Sequence, residues 1–84
     1  MHDTLLTRKI CREAAALCVK NKIRAIGQLC VSVHPKSHVT AESLLACLKE
    51  NAGGLTGDDT LVAVLRDLDA KNEAEIRIIE GVRE

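Results

Sequence analysis

Phenylalanine, tyrosine and tryptophan are all missing from the 84 residues, and proline and methionine occur once each. Without aromatic rings the chain has no platform on which unpaired bases stack, which excludes an RNA-recognition sheet or an oligonucleotide-binding barrel. No apolar run approaches the roughly 18 residues that cross a bilayer, and Met1-His2-Asp3-Thr4 has no signal-peptide pattern. The expected setting is intracellular, cytoplasmic or, in a eukaryote, nuclear, with no membrane partner. A close cysteine pair is also lacking: Cys11, Cys18, Cys30 and Cys47 are spread too widely for a zinc ribbon or a redox motif. They read as reduced packing residues, with two disulfides or a metal as the alternatives. No catalytic signature is present, so the chain is not expected to be an enzyme or to carry a cofactor.

What is present suffices for one small domain, 1–84. The hydrophobic share is 46% and the charged share 29%, a balance that supports a single core and not a disordered chain. Net charge is zero, with 12 Lys+Arg against 12 Asp+Glu, but the two signs are segregated. Residues 1–36 hold seven Lys/Arg against two acids, and residues 37–84 hold five against ten.

Residues 4–20 place Leu6, Ile10, Cys11, Ala14, Leu17 and Cys18 at helical steps, with Asp3 or Thr4 as cap. After a break near Asn21, the stripe Ile23, Ile26, Leu29, Cys30 and Val33 reads as a second helix, although 30–33 is equally readable as an extended piece. A connector, 34–38, follows around Pro35. Thr40 as cap, Glu42 in the first turn and a Val39–Leu44 staple then predict a helix over 41–51, closed by Gly53-Gly54. A further helix is expected over 57–71, capped by Thr56 with Asp59 at its third position and with Leu61, Val64, Leu65 and Leu68 inward. Alternation from Glu75 to Ile78 predicts a strand over 76–82, with a bulge or turn at Gly81. The fold class is therefore mainly α with a small β element: three to four helices and a C-terminal strand.

The run His38 to Leu45, the segment 56–71 and the strand 75–82 together resemble a winged helix-turn-helix domain over about 23–82. The wing would be truncated, or the whole would be a helical bundle with an edge strand. The resemblance implies a regulatory module that docks to a protein or reads DNA through its third helix. The charge of 57–71, four aspartates against one arginine and one lysine, disfavours DNA there and favours a protein partner.

Arg8, Lys9, Arg12, Lys20, Lys22 and Arg24 are the candidate surface for phosphates or an acidic partner, as against solvated faces paired within the fold. A DNA-binding regulator using these basic helices is the alternative function, and a small inhibitor that occludes a host enzyme is a further one. Ile76, Ile78 and Val82 are the candidate edge-strand contacts, for a partner strand or a homodimer. Cys30, His34 and His38, four apart, are weak metal candidates, because Pro35 interrupts the helix that would stack them. No metal site is expected. Asp67 to Ile78 fails as a calcium loop at its fifth, sixth and twelfth positions, and residues 53–57 read as a turn.

Overall fold

The computed structural model describes residues 4–68 and 74–83. The chain runs α1 (Thr4–Asn21), β1 (Ile23–Val33), α2 (Ala41–Asn51), a 3-10 turn (Gly53–Leu55), β2 (Leu61–Arg66) and β3 (Glu75–Arg83). The strands form one sheet in the order β2-β1-β3, with β1 parallel to β2 and antiparallel to β3. Both helices pack against the sheet and against each other. The core between the two layers holds Ile10, Ala14 and Cys18 of α1, Ile26, Leu29, Val31 and Val33 of β1, and Leu44 and Leu48 of α2, all nearly fully buried.

The winged-helix expectation is overturned: the described residues hold two α-helices and three strands, not three or four helices with one strand. Residues 23–33, expected as a helix with an extended piece as the alternative at 30–33, are the central strand throughout, and the reason is local. Relative to β3, β1 carries an extra residue between Ile23 and Ala25 and another between Ile26 and Gln28. Each bulge lengthens the inward repeat from two residues to three. Ile23, Ile26 and Leu29 therefore face the core at a spacing that imitates one side of a helix, before Val31 and Val33 restore the strand period. Gly81 lies against the second bulge, where a Cβ would strike the carbonyl oxygen of Ala25. Only glycine permits that approach.

The helix expected over 57–71 is also corrected. Its start is a turn, in which Thr60 N–H donates to the Gly57 carbonyl at 3.1 Å and Gly57 N–H donates to Thr60 Oγ1 at 2.9 Å. The Thr60 hydroxyl in turn donates to the Ile26 carbonyl at 2.8 Å, tying the turn to β1. Leu61 to Arg66 then extend along β1 in the register Leu29↔Val62 and Val31↔Val64. Of the four residues expected to face inward, Val64 is half-buried against the core, whereas Leu61, Leu65 and Leu68 are exposed. Pairing with β1 outweighs the helical spacing. Residues 69–71, the end of that expected helix, lie outside the described residues, as does Asp3, one of the two expected caps of α1.

α2 occupies 41–51, and Thr40 caps it. Thr40 Oγ1 accepts from Ser43 N–H at 3.0 Å, and Ser43 Oγ accepts from Thr40 N–H at 3.1 Å, so Ser43 completes the capping box. The guanidinium of Arg66, at the end of β2, donates to the carbonyls of Ser37 and Val39 at 2.9 and 2.8 Å, holding the approach to α2. β3 covers the segment 76–82 expected as a strand. A bulge at the level of Cys30 and Val31 breaks its alternation: Ile76 and Ile79 turn toward the core, and Ile78 lies on the opposite face.

Candidate functional site: the cleft between the two helices

α1 and α2 meet along a cleft of about 320 Å³ lined by Arg8, Cys11, Arg12, Ala15, Cys47, Asn51 and Ala52. The helical repeat builds it. Arg8, Cys11, Arg12 and Ala15 recur at three- and four-residue steps on α1, and Cys47 and Asn51 lie one turn apart on α2. The two thiols line the same cleft, one from each helix. Asn51 Nδ2 donates to the Cys47 carbonyl at 2.9 Å and also reaches Cys47 Sγ at 3.4 Å, so one amide fixes the rim of the cleft and touches its sulfur. Burial pushes the Cys11 thiol up to about 11, and its neighbour Cys47 pushes the same way. Burial also raises Cys18. All four cysteines are free thiols.

The six basic candidates are exposed but do not make one surface. Arg8 and Arg12 share the cleft. Lys9 neighbours them on α1, while Lys20 lies about 12 Å further along the helix axis than Arg12. Lys22 sits between α1 and β1 in the left-handed region at φ 58°, and Arg24 belongs to β1, so neither extends a basic helix. Among the edge-strand candidates, Ile76 is half-buried against the core, and Ile78 and Val82 are exposed.

Cys30, His34 and His38 do not converge. Cys30 is in β1, where four residues of strand span about 13 Å, and both histidines lie in the connector before α2. His34 Nδ1 accepts from Lys36 N–H at 3.1 Å, a local turn contact. Among the described residues no three His, Cys, Asp or Glu side chains are grouped so as to hold a metal ion. The cysteine pair went unread in the sequence because 35 residues separate its members and only helix packing joins them. The one available signal was that Cys11 and Cys47 each occupy a helical position beside polar residues. No described helix is long and apolar enough to cross a membrane.

No family model matches the chain, and no curated protein matches it. Among solved structures, the chain is similar to the solution structure of the nickel metallochaperone HypA from Helicobacter pylori, with a TM-score of 0.68 and 12% identity. The match covers 100% of both chains. At that identity the likeness establishes the fold, and it overturns the winged-helix resemblance together with the functions that rested on it. Within the expected groove-reading helix, residues 57–60 are a turn and Leu61–Arg66 a strand at the sheet edge. The docking module of winged-helix type, the DNA-binding regulator and the occluding inhibitor therefore do not stand, and the fold lends no support to a nucleic-acid partner or a homodimer.

Proposed function

We propose that this chain is a non-enzymatic metal-handling protein, one that takes up a transition-metal ion and passes it to a protein partner. The end-to-end likeness of its fold to a nickel metallochaperone carries the reading, and nickel is accordingly the first cargo to test. Shared fold does not by itself transfer function, so the reading depends on ligands in this chain. The chain has three imidazoles, His2, His34 and His38, and four thiols, the donor types that divalent first-row metals favour over oxygen. His2 lies outside the described residues. Uptake by so small a set, completed by water or by the recipient, suits an ion that must leave again.

Isothermal titration of the folded chain with nickel(II) at pH 7 tests this. One site per chain in the micromolar range or tighter is expected, and substituting His2, His34 and His38 by alanine in turn locates its imidazole. Heats no larger than dilution would remove the reading.

A further inference from the structure

The four cysteines divide into two pairs of different character. Cys18 lies in the core and Cys30 between the flanking strands, at 0% and 7% exposure; Cys11 is as buried, at 4%, and what sets it apart is the cleft it shares with half-buried Cys47. Cys11 and Cys47 face one cleft from the two helices, and two guanidinium groups and a side-chain amide line it with them. Packing alone does not require that company.

We propose that Cys11 and Cys47 form a two-thiolate site for a soft monovalent cation, copper(I), in the cleft between α1 and α2. Both donors are sulfur, and no carboxylate or imidazole lines the cleft with them. A zinc ion seeking four ligands finds only two here, whereas a d10 monovalent ion is satisfied by two thiolates on opposite sides.

Binding breaks two S–H bonds, forms two metal–sulfur bonds and releases two protons to water, with no change of oxidation state. The product carries one negative charge, which Arg8 and Arg12 offset at the same cleft. The Asn51 amide continues to donate to the Cys47 sulfur, orienting it as an outer-shell partner does. Half-buried Cys47 is the sulfur through which an incoming thiol exchanges the ion.

This inference goes beyond the nickel reading, because it names a different cation and the side chains that take it. The two fail separately: the nickel titration decides the reading above, and copper(I) retention decides this one. Copper(I) is added anaerobically to the reduced chain in competition with a chromogenic copper(I) chelator, and the complex is counted by native mass spectrometry. One copper per chain is expected. Cys47→Ser, at a half-buried position, is expected to keep its far-UV circular dichroism and lose at least about tenfold in affinity. Cys30→Ala is expected to retain the copper. Arg8→Glu with Arg12→Glu weakens retention without removing a sulfur. Failure of the wild-type chain to hold copper(I), or equal retention by folded Cys47→Ser, would overturn the proposal.

Discussion

The two faces of the sheet are built from similar side chains and live in different surroundings. On the face covered by α1 and α2, Leu29, Val31 and Val33 are each 0% exposed. On the other, Leu61 and Leu65 of β2 are 67% and 51% exposed, and Ile78 of β3 is 40% exposed. Cys30 and Ser32 escape exposure there because they lie on the central strand between two neighbours. Apolar content alone therefore does not report which side carries the core. Partnership with the helices does, and each substitution below sets one side of the sheet against the other.

The largest effect is expected on the covered side. Leu44→Ala removes a fully buried side chain of α2 and should cost about 2–5 kcal/mol in chemical denaturation. A value below 1 kcal/mol would mean that α2 is loosely docked. Gly81→Ala comes next, at about 1–3 kcal/mol, because the new methyl group meets the Ala25 carbonyl and the bulged pair must shift. Thermal melting reads it directly.

Alkaline titration separates the faces in another way. The Cys11 pKa is raised in the folded chain, so its contribution to stability is complete below the ordinary value of 9.0 and is lost as pH rises through about 11. Urea midpoints should fall over that window, and Cys11→Ala should flatten the fall. A smaller gain, about 1 kcal/mol, is expected from Lys22→Gly, which relieves a left-handed backbone at the end of α1. The smallest effect belongs to the open side. Leu61→Ser should change stability by no more than about 0.5 kcal/mol, and a larger loss would show that the outer face is covered in solution.

How much of this was legible in the sequence depended on whether local signals agreed with the tertiary pairing. At α2 they did: Thr40, Val39 and Leu44 are a complete start signal that no neighbour contradicts. β3 was visible because Glu75 to Ile78 alternate before the bulge redirects Ile79. β1 was hidden by its own bulges, which turned a strand's period of two into the threefold spacing of Ile23, Ile26 and Leu29. β2 was hidden differently. Its outward leucines, Leu61 and Leu65, are four apart, a helical interval whose meaning changes only when Val62 and Val64 are set against Leu29 and Val31. The candidate site was least legible. Arg8 and Arg12 could be placed on one helix face, but the meeting of Cys11 with Cys47 exists only after two helices pack on one sheet.

Metal handling is most directly tested by incubating the reduced, folded chain with equimolar nickel(II), removing free ion, and recording its native mass spectrum at neutral pH. The expected spectrum is dominated by chains carrying one nickel ion, which disappears on transfer to a stronger chelator. A metal-free spectrum from a chain whose circular dichroism shows it folded would contradict the account.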